Sequence, residues 1–283
     1  MKAYAEISQL QKNIDDFQLG PIDLTIEPET ITALVGNNGT GKSTLLKLMM
    51  NLASRDSGDI KLFNTSVSNG NESWKRNVAY LPQTIIGMDA YTGNTLKALI
   101  ESLYPNWDDS LFIEMINLFD VPLNKRFGKL SQGVRQKLNL ALTVARNTPL
   151  LVLDEPTAFM DIPSKKFFMD ILVDWMDKGD RSIIITSHQV EDIKKLSDYL
   201  FVLRNGKAIG NFEKEALTEN YKRYWLNGLL PNTAIPGEVS RANLQIISNK
   251  PEKTEVFLQK NNIGWIDRKS LELEEIITLL LTT

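Results

Sequence analysis

Apolar positions in this chain gather first into short unbroken runs. Ile31–Val35, Val78–Leu81, Leu150–Leu153, Ile183–Thr186 and Tyr199–Leu203 are dominated by Val, Ile and Leu. Runs this short, without polar alternation, predict strands covered on both faces, as in a parallel sheet. Between the third and fourth run the period changes. Across Ser164 to Lys178, Phe167, Phe168, Ile171, Leu172 and Trp175 recur at helical spacing, and Gly179 closes the segment. Leu45–Met50 also reads as helix. Strands alternating with helices predict a layered α/β fold.

Residues 84 to 149 interrupt that alternation. Leu96–Leu103, Leu111–Phe119 and Val134–Ala145 carry helical patterns, punctuated by Pro105 and Pro122. They predict a helical insertion. After Gly210 the pattern changes again: Thr254–Leu258 alternates like a strand and Leu271–Leu281 looks helical. Pro231, Pro236 and Gly237 suggest a loose connection ahead of them. The expected division is a main domain over 1–212, with a helical subdomain at about 84–149, and a small α+β accessory subdomain over 213–283.

A length of 283 residues suits one large domain or two modest ones, and 42% hydrophobic content supports a sizeable core. The net charge of −3 lacks the basic footprint of phosphate neutralisation, so nucleic acid is not an expected partner. Without cysteine, disulfides and thiolate metal sites are excluded, and His188, the only histidine, excludes a multi-histidine site. The opening MKAYAEISQLQKNIDD lacks the apolar core of a signal peptide. No stretch reaches the roughly 18–20 apolar residues that cross a bilayer, so a membrane role is expected to need a second, membrane-spanning chain.

The sharpest local signal is Gly36-Asn37-Asn38-Gly39-Thr40-Gly41-Lys42-Ser43-Thr44, which fits G-x-x-x-x-G-K-[ST] between a strand-like and a helix-like run. Glycines admit backbone angles that turn successive N–H groups inward as a nest for phosphate oxygens, and the following helix adds its positive end. Lys42 would reach the β and γ phosphates of a nucleotide, and Ser43 would offer its hydroxyl to Mg²⁺. A second signal is Leu150–Leu153 running into Asp154-Glu155-Pro156. A buried strand would deliver these carboxylates to the sheet's carboxyl edge, where ligands bind in open α/β sheets. Asp154 would serve Mg²⁺ and Glu155 would orient, or take a proton from, an attacking water. A solvated acidic turn is the alternative for this pair taken alone.

Leu130-Ser131-Gln132-Gly133-Val134 resembles the LSGGQ signature of ABC-type ATPases. The resemblance covers residues from about 4 to 212, with its markers in family order: the phosphate loop, Gln83 after a strand, the signature at Ser131, Asp154-Glu155, Asp161 and His188. It implies a P-loop NTPase core of ABC type that binds ATP and Mg²⁺ and hydrolyses ATP. It also implies that Ser131, Gln132 and Gly133 meet the γ-phosphate bound to a second ATPase subunit. Gln83 would contribute to Mg²⁺ and water, Asp161 to the shared site, and His188 would contact the γ-phosphate. Locally, Ser131 suits a helix N-cap, with Leu138, Ala141, Leu142 and Ala145 on one face.

Several positions depart from the family pattern. Val134 replaces the usual glutamine, with Arg135 following, and the D-loop Ala158-Phe159-Met160-Asp161 is bulkier than usual. The aromatic that stacks adenine in the family has no clean equivalent: Phe17 or Ile14 could serve, and Phe17 could equally be core. Leu103-Tyr104-Pro105-Asn106-Trp107-Asp108 and Ser270 to Ile277 resemble segments of the ABC-2-type exporter group. The aromatics of the first could dock a membrane subunit or simply pack within the insertion.

The resemblance implies an ATPase subunit at the cytoplasmic face of the cell membrane, paired with a permease and a second ATPase, identical or related. Export is the expected direction, through ATP-driven dimer closure. The alternative is a soluble ABC ATPase acting on ribosomes or nucleic acid; it meets a single cassette and no sustained heptads. A GTP switch fails at Asn124-Lys125-Arg126-Phe127, which ends in phenylalanine where N-K-x-D needs aspartate.

Overall fold

The pleat of the central strands sorts their unbroken apolar runs into two cores. Successive side chains of a strand point to opposite faces. In β3 (Ile31–Val35), Ala33 and Val35 join one cluster and Leu34 the other. The same split repeats in β7 (Leu150–Asp154), with Leu151 and Leu153 on one side and Leu150 and Val152 on the other, and in β8 (Ser182–Thr186) around Ile184. Each strand is fully buried because each face has its own cover.

The computed structural model describes residues 2–187, 189–228 and 233–282, and the statements below concern these. The chain opens with the antiparallel pair β1 (Ala5–Ile14) and β2 (Phe17–Ile26). After β3 comes α1 (Lys42–Met49); β4 (Ser57–Leu62) and β5 (Thr65–Ser66) then return to the first sheet, in the order β2-β1-β4-β5. Next, β6 (Val78–Leu81) enters the central sheet, and α2 (Gly93–Glu101), α3 (Asp109–Leu118) and α4 (Gln132–Val144) form the helical insertion. After β7 come α5 (Ile162–Met176), β8, α6 (Val190–Leu196), β9 (Tyr199–Arg204) and β10 (Lys207–Glu213). The central order is β10-β9-β3-β8-β7-β6, parallel except for the antiparallel edge strand β10.

Helix α1 lies between the two sheets. Leu45, Leu46, Leu48 and Met49 cluster with Ile7, Leu10, Leu19 and Ile22 of the first sheet and with Leu34 and Val152 of the central one. The opposite face of the central sheet is covered by α4, α5, α6 and the insertion through Leu138, Ala141, Phe168, Trp175 and Ile193. Each of α2 to α5 begins at a side-chain cap, on Thr92, Asp108, Ser131 and Asp161 respectively.

Beyond β10 follow α7 (Lys214–Asn220), β11 (Lys222–Leu226), β12 (Glu238–Ala242), β13 (Gln245–Ser248), α8 (Pro251–Lys260), β14 (Trp265–Ser270) and α9 (Leu273–Thr282). The strands form an antiparallel sheet in the order β12-β13-β11-β14, with a small core of its own around Tyr224, Ile246 and Leu258. In contrast, α9 packs into the main core through Ile276, Ile277 and Leu280, beside Leu196 of α6.

Two expectations are corrected in this region. Thr254–Leu258 is not a strand but the middle of α8: the buried residues are Thr254 and Leu258, four apart, and Pro251 occupies the first turn, where its missing N–H costs nothing. Nor is the connection at Pro236 and Gly237 loose. The Pro236 carbonyl accepts a bond from Thr254 Oγ1 at 2.7 Å, and the Gly237 carbonyl accepts Asn249 N–H at 2.9 Å. Pro231 lies outside the described residues.

Leu46 is fully buried between two sheets, whereas Leu52, just past the helix, is 65% exposed. Leu46→Ala should lower the unfolding free energy by about 2–5 kcal/mol and Leu52→Ala by less than about 0.5 kcal/mol. Urea titrations of the two variants check the contrast.

Candidate functional site

The phosphate-loop sequence sits at the carboxyl edge of β3. Gly41 has φ +100°, a left-handed conformation that glycine adopts without the cost borne by other residues, and it begins α1. Unlike α2 to α5, α1 has no side-chain cap. Its leading N–H groups and its positive end are therefore not taken up by a capping side chain. Lys42 bends back over the loop and donates to the carbonyls of Gly36 at 2.6 Å and Asn37 at 3.1 Å. Burial pushes its ammonium below the ordinary lysine range, and Glu155 and Asp154 pull it back up. Thr40 donates its hydroxyl to the Asn37 carbonyl at 2.9 Å, which tightens the turn.

A cavity of about 500 Å³ brings together Asn38, Gly39, Gly41, Lys42, Ser43, Thr44, Gln83 and Glu155 with the apolar Ile14 and Phe17. The two candidates for contact with a base thus line the phosphate cavity. Phe17 also packs against the core that lies between the two sheets.

Asp154 ends β7 almost fully buried. Its Oδ1 accepts the Thr186 hydroxyl at 2.8 Å, and its Oδ2 has no hydrogen-bond partner among the described residues. A buried carboxylate oxygen left open in this way suits a cation. Burial, reinforced by Asp154, pushes the Tyr80 phenol well above its ordinary value. Glu155 follows with φ +51°, uncommon for a residue with a side chain, and its N–H donates to Thr186 Oγ1 at 2.8 Å.

The signature residues open on a different cavity, of about 320 Å³, lined by Gln83, Gln132, Arg135, Gln136 and Phe159 among others. Gln83 lines both cavities. Ser131 caps α4 by accepting Val134 N–H at 3.4 Å, so its own proton remains to be donated elsewhere. A Cβ on Gly133 would lie 2.8 Å from the Phe159 carbonyl, so glycine is required for the signature to approach the bulky D-loop. Arg135 reaches the Asp89 carboxylate at 3.7 Å and is otherwise tied to its own loop. It donates to the carbonyls of Leu130 at 3.0 Å and Gly128 at 2.7 Å and lies over the Phe127 ring, bracing the loop from below. Asp161 is engaged through both oxygens, by Ser164 N–H and by Lys137 Nζ at 2.7 Å, and this pairing holds its carboxyl well below the usual range. His188 lies outside the described residues.

The two insertion aromatics pack internally. Trp107 stacks 5.4 Å from Phe112, and the Arg146 guanidinium lies over Tyr104 at 5.1 Å. Sequence reasoning missed the polar cluster around Asp192. Asp192, 4% exposed, pairs with Lys165 Nζ at 2.5 Å and accepts the hydroxyls of Thr157 at 3.1 Å and Ser187 at 3.2 Å. It joins the start of the D-loop, α5 and α6. The sequence signal, an acidic residue in the first turn of a short helix, is too common to single it out.

Comparison with known proteins agrees with this arrangement. Residues 19–158 match the family model described as ABC transporter. The chain is 34% identical over 217 residues to the ABC transporter ATP-binding protein YtrB of Bacillus subtilis, spanning 76% of this chain and 74% of that protein. It is 29% identical to the high-affinity zinc uptake system ATP-binding protein ZnuC of the same species, across 68% of this chain and 87% of the relative. A solved ATP-binding subunit of an ABC transporter superposes with a TM-score of 0.69 at 21% identity, covering 76% of this chain and 92% of that one. The chain belongs to the ABC transporter ATP-binding protein family: it is an ATP-hydrolysing, nucleotide-binding subunit of a transporter with the P-loop fold expected from its sequence.

Removing the charge of Asp192 would strand Lys165 and two hydroxyls around a largely buried position. Asp192→Ala should cost about 3 kcal/mol of unfolding free energy, and Asp192→Asn, which can still accept hydrogen bonds, less. Chemical denaturation of the two variants, compared with the parent, measures the difference.

Proposed function

We propose that this subunit drives transport by closing on ATP as one half of a dimer. One chain's phosphate cavity would hold the nucleotide while the partner's signature loop covers the γ-phosphate. The observation that carries this reading is the separation of the two halves. Within one chain, Lys42, Ser43 and Glu155 line one cavity, whereas Gln132 and the base of the signature line another. Ser131 and Gly133 act across the dimer, and Asp161 supports the same interface from the D-loop.

Within the phosphate cavity the roles follow from chemistry. The N–H groups from Gly36 to Thr44 cradle the β and γ phosphates, and Lys42 exchanges its two carbonyl acceptors for phosphate oxygens. Ser43, Gln83 and the open Oδ2 of Asp154 are the residues that would hold Mg²⁺. When bound, Mg²⁺ supplies charge neutralisation at the β and γ phosphates. Glu155 accepts a proton from water as the water oxygen bonds to the γ-phosphorus. The bond from that phosphorus to the β–γ bridging oxygen breaks, giving ADP and phosphate. His188 steadies the γ-phosphate. Phe17 or Ile14 covers the base.

Among the described residues no helix is long and apolar enough to cross a membrane. The transport path would belong to a permease subunit that holds this chain at the inner face of the cell membrane. With Tyr104 and Trp107 packed internally, the docking surface of the insertion would instead use exposed Leu99 and Leu103, which are 51% and 68% accessible. Outward transport rests on the resemblance of residues 103–108 and 270–277 to the ABC-2-type exporters. The main domain over 1–212 and the accessory subdomain over 213–283 would divide catalysis from attachment.

Lys42→Ala should abolish the thermal stabilisation that ATP gives the parent; a melting curve in the presence and absence of nucleotide checks this, and a full shift in the variant would remove Lys42 from the phosphate site. Glu155→Gln should keep ATP binding, lower kcat at least about 10²-fold and accumulate an ATP-dependent dimer in size-exclusion chromatography. Normal turnover in that variant would dismiss Glu155 as the activating group.

A further inference from the structure

We propose that Thr186 is a positioning residue for ATP hydrolysis, holding Glu155 and Asp154 in working geometry through one shared hydroxyl. Thr186 ends β8 with no exposed surface, directly beside Asp154 in the parallel register of β7 and β8. Its Oγ1 accepts the N–H of Glu155 at 2.8 Å and gives its only proton to Asp154 Oδ1 at 2.8 Å. Two consequences follow. The Glu155 backbone, at φ +51°, is in a region that non-glycine residues hold only when their surroundings over-determine it. The bond to Thr186 fixes the amide on one side of that strained position. On the other side, Asp154 is turned so that Oδ1 is occupied and Oδ2 alone is presented.

The far side of the same turn is pinned from the signature helix. Gln136, buried in α4, donates Nε2 to the Pro156 carbonyl at 2.8 Å and lies at 3.5 Å from the Glu155 carbonyl. Ala158 N–H also returns to the Glu155 carbonyl at 3.2 Å. The peptide carrying Glu155 is thus clamped between β8 and α4. Valine at position 186 would keep the shape of threonine and remove the hydroxyl, leaving a backbone N–H and a buried carboxylate oxygen without their shared partner.

This inference rests on Glu155 as the water-activating group, and its test separates the two. Steady-state ATPase assays on the full chain would compare Thr186→Val, Thr186→Ser and Glu155→Gln with the double variant carrying Thr186→Val and Glu155→Gln. The expected result is a fall in kcat of about tenfold or more for Thr186→Val, with KM for ATP changed less than about threefold. Thr186→Ser, which keeps the hydroxyl, should recover most of that loss. In the Glu155→Gln background, Thr186→Val should add less than about threefold, because it acts through a group already removed. If Glu155→Gln lowers turnover while Thr186→Val does not, the positioning role is overturned and the role of Glu155 stands. Fully multiplicative effects would likewise overturn it. If Glu155→Gln itself turns over normally, the reading of the base fails first. Should Thr186→Val not fold, Gln136→Met probes the same clamp from α4: an unchanged kcat there overturns the proposal, and a fall that vanishes in the Glu155→Gln background supports it.

Discussion

Everything at the carboxyl edge of the central sheet depends on how a carboxylate is kept inside it. Asp154 is 1% exposed at the end of a strand whose neighbours are Leu, Val and Ile. Burying such a group is costly unless hydrogen bonds compensate, and among the described residues Thr186 compensates at one of the two oxygens. The other oxygen has no hydrogen-bond partner among the described residues, which is the arrangement a cation would complete. The same burial lowers the effective dielectric around Lys42, which is held over its own loop by two backbone carbonyls. The site is therefore prepared for charge that arrives with the substrate, and its polar groups hold themselves in place until it does.

The two hydrophobic cores give that edge its stiffness. Leu34, Val152 and Ile184 press on α1 from one side, while Leu151, Leu153 and Ile185 press on the insertion and α5 from the other. The phosphate loop thus joins a strand and a helix that share one packed layer, and the acidic pair ends a strand from the middle of the same sheet. Helix α9 extends this logic to the far end of the chain. By filling the core beside Leu196 it supports α6, the helix whose Asp192 ties down the D-loop and α5.

Much of this was legible because the strands that build the site are buried on both faces and so read as unbroken apolar runs. Ile31–Val35 and Val78–Leu81 appear in the structure with the bounds expected from sequence. The first sheet was not legible. In β1 the alternation Ala5, Ile7 fails at Gln9, which takes φ +47°, and the pairing with β2 shifts register between Ile7 and Leu10. A bulge of this kind erases a period-two pattern over so short a stretch. Helix α8 misled in the opposite sense, since Thr254, Val256 and Leu258 alternate by chance while tertiary packing selects Thr254 and Leu258 alone. Within the site, residue types and order were readable, but the clamp on Glu155 was not. Thr186 and Gln136 are ordinary residues whose meaning lies in which oxygen or carbonyl they meet across the fold.

The signature loop and the phosphate cavity are held apart by contacts at the end of β7. Strand β7 rises about 3.3 Å per residue toward the site, and α4 rises about 1.5 Å per residue. The helix meets the far end of the strand at Gln136, whose amide bonds the Pro156 carbonyl two residues beyond Asp154. Ser131 lies five residues before Gln136, more than one helical turn toward the start of α4. Arg135 and the fit of Gly133 against Phe159 hold the loop in place. The Gln136 bond and the packing of Leu138 to Ala145 hold α4, and with it the loop, against the core. Gln83, which lines both cavities, is where the two halves of the molecule share a surface.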